Sequence, residues 1–290
     1  MTTRTVDSII DSVETSDGAG VKLRRSLGGR QRARVDPFLM LDEFFSDDPR
    51  DYLAGFPSHP HRGFETVTYM LDGHMEHQDH LGNRGDLAAG SVQWMTAGRG
   101  IVHSEMPQQT AGRMRGFQLW INLPAQEKMK PASYRDIPAE EIPVVTLENG
   151  ARVKLIAGRL EYDGCWSQGP VRGVTTDPTY FDVELPAGAE ISLPVANEYN
   201  AFVYPYEGEL IVGPTASEIA LRARSAGVLS RGDTFTARAG KEGSKFLLLA
   251  AKPIGEPVVQ HGPFVMNTQQ EIEQAILDLH SGRFVAQNQL

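Results

Sequence analysis

Cysteine is almost absent from this 290-residue chain, which contains Cys165 alone. A single cysteine cannot form an intramolecular disulfide, and its scarcity favours a reducing compartment. No apolar run approaches the roughly 20 residues that span a bilayer. The first residues, MTTRTVDSII, lack the basic and then apolar order of a secretory signal. We therefore expect a cytoplasmic protein with no membrane partner.

Basic residues are also scarce, because 28 lysines and arginines face 37 acidic residues, for a formal net charge of −9. An acidic chain lacks the electrostatic footprint of direct nucleic-acid binding, so we expect no such partner. Apolar residues (40%) and charged residues (22%) are at the levels of a globular protein. The length allows two domains, each with its own core.

Short extended runs separated by turn residues fill most of the chain. They are rich in β-branched and aromatic residues, and glycine, proline, aspartate and asparagine bound them, as is typical of strands. The clearest are Glu65–Leu71, Phe117–Leu123, Phe181–Leu185, Ala201–Pro205 and Lys245–Ala250. This spacing predicts an all-β protein built from sandwiches or barrels rather than from alternating strands and helices.

One helix is predicted, near the end of the chain. Thr268 and Glu271 have the spacing of a capping box, in which each side chain binds a free backbone N–H of the other. Apolar residues follow at helical spacing, namely Ile272, Ala275, Ile276 and Leu279. Gly282 is placed to end the helix. The apolar stripe predicts a structural helix that packs on a barrel.

A weak internal repeat predicts two barrels of similar topology. Met70–Gly73 aligns with Pro205–Gly208, Leu87–Gly90 with Leu229–Gly232, and Ala97-Gly98 with Ala239-Gly240. The proline- and charge-rich stretch between the two copies has the composition of a linker. We therefore predict an N-terminal barrel in residues 1–133, a linker in 134–143, and a C-terminal barrel with the helix in 144–290.

Two spaced pairs of metal-binding side chains stand out, His59-Pro60-His61 and His103-Ser104-Glu105. Residues i and i+2 of a strand point to the same face, so two such strands side by side would aim three imidazoles and one carboxylate at one point. This donor set suits a divalent metal of intermediate hardness, and an octahedral ion would keep about two positions open. The alternative is that the histidines lie in solvent on an edge loop.

The repeat restricts this prediction to the first barrel. Its register sets the four candidate ligands opposite residues that cannot replace them. His59 falls opposite Pro194, His61 opposite Ala196, His103 opposite Lys245 and Glu105 opposite Leu247.

Other polar and aromatic residues near these pairs have less specific patterns. Glu65 shares the strand parity of His61 and is interpreted as a partner of the ligands or a surface residue; the alternatives are a fifth ligand or an ion pair with Arg62 or Arg84. The triplet His74, His77 and His80 is interpreted as exposed turn histidines, because turn residues flank the segment. Residues three apart on a strand point to opposite faces, so the three would not converge on a metal. Four aromatic residues are candidates to line a pocket, namely Phe56, Trp94, Phe117 and Trp120.

Several motifs closely resemble the pirin family of the cupin superfamily. They are DPFLMLDEF, FPSHPHRGFETVTYMLDG, NRGDLAAGSVQWMTAGRGIVHSE and GPFVMNTQQEIEQAILDLHSGRF. The resemblance runs from about Val21 to Phe284 and implies two cupin jelly-roll barrels packed face to face. It also implies that His59, His61, His103 and Glu105 bind one divalent metal in the N-terminal barrel. Iron(II) is the metal it implies, with zinc, manganese, nickel, cobalt or copper as alternatives.

The resemblance also implies a departure from other cupins, which take their carboxylate ligand from the position of Glu65, whereas pirins take it from the position of Glu105. The role of Glu65 is therefore the least secure assignment. The resemblance further implies a mononuclear dioxygenase like quercetin 2,3-dioxygenase, with a flavonol-like aromatic substrate and with Glu105 as both ligand and catalytic base. A second hypothesis is a non-catalytic metal- or redox-sensing regulator that acts through protein partners. A third is a metal that only stabilises the first barrel.

Overall fold

The computed structural model describes residues 2–29 and 33–285 and shows an all-β chain with one α-helix in that part, α1 (Gln269–His280). The strands are β1 (Val6–Asp11), β2 (Val13–Asp17), β3 (Val21–Leu27), β4 (Phe38–Ser46), β5 (Phe56–His61), β6 (Phe64–Asp72), β7 (Met75–Asp79), β8 (Arg84–Leu87), β9 (Val92–Thr96), β10 (Ile101–Pro107), β11 (Met114–Asn122), β12 (Ser133–Ile137), β13 (Val144–Thr146), β14 (Arg152–Ala157), β15 (Arg159–Tyr162), β16 (Cys165–Gln168), β17 (Thr179–Leu185), β18 (Glu190–Pro194), β19 (Asn200–Val212), β20 (Ile219–Arg222), β21 (Ser225–Leu229), β22 (Thr234–Ala251), β23 (Val259–His261) and β24 (Phe264–Met266). Short 3-10 turns lie at Pro49–Asp51, Ala125–Glu127, Ala139–Glu141 and Thr215–Ser217.

The chain forms two compact units, and each gathers segments that are distant in sequence. One contains residues 14–25, 38–139 and 254–285, and the other contains 2–13, 26–29, 33–37 and 140–253. The predicted domains were contiguous, whereas these units interleave along the chain. The boundary between the two units at residues 139 and 140 falls inside the predicted linker. Part of that linker forms β12, which pairs with β9.

The unit that contains 38–139 has two main sheets and a separate two-stranded sheet, β23-β24. The larger has the order β12-β9-β6-β11-β4-β3-β2, and the smaller has the order β5-β10-β7-β8. Buried apolar residues fill the space between strands, including Phe64, Val67 and Leu119. Because β5 is an edge strand, Pro60 costs no ladder hydrogen bond on that side. The smaller sheet carries both candidate metal-binding pairs.

Helix α1 belongs to the same unit. Thr268 and Glu271 form the predicted capping box, and Gly282 follows the helix with a φ of 70°. Ile272 and Ala275 are buried in a cluster with residues of β24, and Ile276 and Leu279 pack against it. The helix prediction is therefore confirmed. Within the described residues, no helix has the length and apolar character needed to cross a bilayer.

The unit that contains 140–253 is built on a nine-stranded sheet. Its main path is β1-β21-β19-β22-β17-β14-β13, with β18 on β22 and β20 on β19. Strands β19 and β22 are long, with 13 and 18 residues, and each serves two successive positions of the barrel. The prediction of an all-β chain with a helix near its end is confirmed for the described residues.

The predicted register of the repeat is wrong: it sets His103 one strand position too far along the second unit, and it sets His59 three residues too far along β18. In the unit that contains 38–139 (the first unit), β10 pairs with β5 and β7. In the unit that contains 140–253 (the second unit), the first half of β22 pairs with β18 and with the end of β19. The ladder pair His103–His59 therefore corresponds to Ala237–Ile191, and not to Lys245 and Pro194. The corresponding residues of the second unit lie in its apolar core, so that barrel offers no ligands there. The alignment is wrong, but its conclusion that the second barrel lacks these metal ligands holds for the described residues.

Candidate metal centre

Strands β5 and β10 bring His59, His61 and His103 together. His59 lies directly opposite His103 in the antiparallel ladder, and His61 lies opposite Ile101. The ring centroids of His103 are 4.4 Å from His59 and 5.0 Å from His61, and those of His59 and His61 are 4.7 Å apart. One ring nitrogen from each residue lies within 4.8 Å of the others. Among the described residues, this is the group whose ligand atoms converge in this way.

The hydrogen bonds of His59 select the nitrogen that it offers. Its Nδ1 lies 2.8 Å from the Pro57 carbonyl oxygen, which can only accept, so Nδ1 carries the proton. Its Nε2 then has a free lone pair and lies 3.0 Å from Nε2 of His61. Two nitrogen ligands at right angles, each about 2.1 Å from a metal ion, are about 3.0 Å apart. The pair therefore fits adjacent positions of one coordination sphere.

His103 presents its remaining nitrogen to the same centre. Its Nδ1 is hydrogen-bonded to Nε2 of His77 at 2.8 Å. Its Nε2 is buried and finds no hydrogen-bond partner among the described residues. A buried polar atom without a partner is costly, and a metal ion would satisfy it. The donor set therefore suits one metal ion.

Burial keeps the inner histidines neutral. It lowers the pKa of His61 well below the usual range, and the neighbouring His59 acts in the same direction, against the backbone of Pro263. Burial likewise lowers the pKa of His103, with further lowering from His61, His59 and His77. Neutral imidazoles are the form that binds a metal, so the fold prepares these side chains for coordination.

Glu105, the predicted fourth ligand, is buried but lies outside the converging group. Two residues after His103, it projects from β10 to the same side of the strand. Its Oε1 accepts a hydrogen bond from Thr68 Oγ1 at 2.8 Å, and the same hydroxyl lies 2.6 Å from Gln118 Oε1. The Thr68 hydroxyl has a single proton, so it donates to the Glu105 carboxylate when Gln118 turns its amide N–H towards the hydroxyl. The role of Glu105 as a ligand stays a prediction.

Glu65 is buried away from the converging histidines. Its carboxylate accepts hydrogen bonds from Thr96 Oγ1 at 2.7 Å and from Trp94 Nε1 at 3.3 Å, and Lys130 Nζ is 4.0 Å away. Burial raises the pKa of Glu65, and the bond from Thr96 opposes that rise. The interpretation of Glu65 as a surface residue, or as a partner of Arg62 or Arg84, is wrong. Its partners lie on β9 and in the segment before β12.

Arg62 uses its side chain to join the ligand strand to the C-terminal helix. The buried guanidinium donates to the Arg99 carbonyl oxygen and to Asp278 of α1, at 2.8 Å in the second case. It also lies over the ring of Phe284, 4.3 Å from the centroid. These contacts fix the residue that follows His61, so the helix helps to hold the ligand strand.

Of the four aromatic candidates, Trp120 lies beside the histidines. Its ring centroid is 5.3 Å from that of His61 and 4.3 Å from that of Phe64, which itself contacts His61 at 5.1 Å. The others have different partners: Trp94 binds Glu65, Phe117 packs in the core near Tyr69, and Phe56 packs against a separate apolar cluster. The predicted aromatic wall therefore consists of Trp120, with Phe64 added.

His77 is the residue that sequence reasoning missed. The interpretation of His77 as an exposed turn residue is wrong, because it lies on β7, its exposed fraction is 0%, and it contacts His103. The available signal was the alternation of Met75, Glu76, His77 and Gln78, typical of a half-buried strand. The three-residue spacing of the histidines concealed it. His74 is indeed half-exposed, with its Nε2 3.2 Å from Asp86.

Comparison with known proteins agrees with this architecture. The pirin family model matches residues 20–121, and the model of the pirin C-terminal cupin domain matches residues 180–285. The chain belongs to the pirin family. This confirms the resemblance seen in the sequence motifs and the prediction of two cupin domains.

The pirin relationship extends over nearly the whole chain. A protein of Pseudomonas aeruginosa with the provisional name quercetin 2,3-dioxygenase is 52% identical over 268 residues, which are 92% of this chain and 93% of that protein. A pirin-like protein of Caulobacter vibrioides is 49% identical over 98% of this chain and 100% of its own length. The crystal structure of quercetin 2,3-dioxygenase from Acinetobacter baumannii is similar, with a TM-score of 0.87, 34% identity, and coverage of 97% of this chain and 98% of that one.

Proposed function

We propose that this pirin is a mononuclear metal-dependent dioxygenase of the quercetin 2,3-dioxygenase type, with iron(II) as its metal. The observation that carries the proposal is the convergence of three buried or half-buried histidine nitrogens at one point. The names of the Pseudomonas and Acinetobacter relatives supply the reaction type and the small aromatic substrate. The scarcity of cysteine favours action in the cytoplasm.

The residues around the centre suit this chemistry. When bound by His59, His61, His103 and Glu105, a divalent metal would act as a Lewis acid towards a flavonol and would conduct electrons from the flavonol to dioxygen. Glu105 has one oxygen held by Thr68, which leaves the other for coordination or for removal of the flavonol hydroxyl proton. Trp120 and Phe64 provide a flat apolar surface beside His61, which suits an aromatic ring.

The experiment that tests the proposal has two steps. Protein purified without added metal is first analysed for bound metal, and we expect about one divalent ion per chain. The protein loaded with iron(II) is then mixed with quercetin in a dioxygen electrode. We expect dioxygen uptake together with loss of flavonol absorbance. Metal-loaded protein that is inert towards flavonols with iron, zinc, manganese, nickel, cobalt and copper would contradict the dioxygenase assignment.

The same preparation distinguishes the regulatory alternative. An inert protein whose recovery of a protein partner depends on the oxidation state of iron would support a redox-sensing regulator. Partner recovery that ignores the metal would count against that role. An inert protein that only loses thermal stability on chelation would support a purely structural metal.

Thr68 gives a test of the role of Glu105. Thr68→Val removes the hydroxyl that holds Oε1 while keeping the side-chain volume nearly constant. We expect kcat on quercetin to fall by about 10-fold or more, in the range found for groups that orient metal ligands, with a smaller change in KM. The matched control is Thr96→Val, which removes the hydroxyl bound to Glu65 instead. Equal losses in the two variants would show that the effect is structural.

A further inference from the structure

We infer that His77 is a positioning residue that selects Nε2 of His103 as its metal-binding nitrogen. The inference rests on the metal site of the proposed function, but not on the dioxygenase reaction. The main observation is the 2.8 Å hydrogen bond between His77 Nε2 and His103 Nδ1, which is buried from solvent. One of these two nitrogens must donate a proton and the other must accept it.

The two tautomeric arrangements have opposite consequences for the metal. If His103 Nδ1 donates, then neutral His103 has its lone pair on Nε2, and a metal can bind there. If His77 Nε2 donates, then neutral His103 carries its proton on Nε2, and that nitrogen cannot coordinate. His77 thus controls metal binding through the hydrogen bond that it accepts, without touching the metal itself.

The surroundings of His77 fix its ring in place for this contact. The side chain is fully buried on β7, and its ring centroid is 5.3 Å from that of Tyr134. β7 pairs with β10 in regular register, where His77 lies opposite Glu105 and Asp79 opposite His103. The ladder therefore sets the distance between the two histidines.

His77 differs from the usual partner of a metal-bound histidine, because the partner is most often a carboxylate, a backbone carbonyl or a water molecule. A neutral imidazole adds no charge to the centre. Its other nitrogen, Nδ1, is buried and without a hydrogen-bond partner among the described residues. In the metal-binding arrangement this Nδ1 carries the proton. The free energy of metal binding must therefore offset an unsatisfied buried N–H.

The decisive test measures zinc(II) affinity by competition with a chromophoric chelator. His77→Phe keeps an aromatic ring but removes the acceptor, and we expect the Kd to rise about 10- to 100-fold. His77→Gln retains an oxygen acceptor, and we expect most of the affinity to return. The matched control is His74→Phe, a change in the same segment at a half-exposed histidine, and its affinity should equal that of the wild type.

A second measurement requires no substitution. Long-range proton–nitrogen correlation spectra of zinc-loaded, nitrogen-15 histidine-labelled wild type should show His103 protonated on Nδ1 and His77 accepting through Nε2. Wild-type affinity in His77→Phe, equal losses in His77→Phe and His77→Gln, or a His103 proton on Nε2 would each overturn the inference.

Failure of the proposed function would look different from failure of this inference. Zinc binding is measured without turnover, so an inert protein that binds zinc through the His77-dependent contact would reject the dioxygenase assignment and keep the inference. A wild type that binds no zinc would instead reject the metal site and the inference with it.

Discussion

His61→Ala is expected to abolish metal binding by this protein and, with it, dioxygen consumption in the presence of quercetin. The reason lies in the geometry, because the His61 Nε2 is 3.0 Å from the His59 Nε2 and both converge with a nitrogen of His103. Removal of His61 takes away one of the four proposed ligands and leaves two imidazoles and one carboxylate, which hold a divalent ion less firmly. We expect the metal content to fall below about one tenth of the wild-type value, and activity to fall at least in proportion.

Thermal unfolding gives an independent measurement. A chelator should lower the Tm of the wild type, since bound metal stabilises the folded state, but it should leave the Tm of His61→Ala unchanged. The control is His74→Ala, whose ring is half-exposed and contacts Asp86 rather than the centre. A full complement of metal in His61→Ala would show that the metal lies elsewhere in the protein.

Lys128→Ala is expected to lower the free energy of unfolding by about 3 kcal/mol or more. The exposed fraction of Lys128 is 1%, and Nζ donates to three acceptors: the Gly63 carbonyl oxygen at 2.7 Å, Asn122 Oδ1 at 2.6 Å and the Val265 carbonyl oxygen at 3.0 Å. Each buried acceptor left without a partner costs about 1–3 kcal/mol. Urea unfolding measures the loss. Lys22→Ala, a change at an exposed lysine, should shift stability by no more than about 0.5 kcal/mol.

The charge of Lys128 makes its contribution to stability depend on pH. Burial lowers its pKa from 10.5 to about 8, against the attraction of Glu256 and Glu271. Between these two values the unfolded chain binds more protons at this position than the folded protein does. The contribution to stability therefore rises with pH across this window, by about 3 kcal/mol, and is lost as the pH falls towards 8. The measurement is the difference in unfolding free energy between wild type and Lys128→Met from pH 7.5 to 10.5. A difference that stays constant over that range would contradict the shifted pKa.

Local patterns predicted those parts of the fold and site that depend on neighbouring residues. The pairs at 59/61 and 103/105 predicted two converging strands because strand alternation fixes where residues i and i+2 point. The capping box at Thr268 and the following apolar stripe fixed the helix for the same reason. These features need no information about partners distant in sequence.

Long-range pairing explains what could not be predicted. The role of His77 exists only because β7 lies beside β10, and Lys128 finds acceptors from residues 63, 122 and 265. The register of the repeat failed for a related reason. The first unit interrupts its chain between β6 and β7 and between β10 and β11, where the second unit runs on as β19 and β22. An alignment based on turn residues therefore slipped by one strand.

The interleaving of the two units has a consequence for synthesis. The metal-bearing unit includes residues 254–285, and Arg62, directly after the ligand His61, binds Asp278 of α1. On the ribosome these residues emerge only after all of 140–253 has been made. Strand β5, which carries His59 and His61, therefore lacks the contact between Arg62 and Asp278 while residues 140–253 are translated. The contact between Arg62 and Asp278 can therefore form only after residues 140–253 have been synthesised.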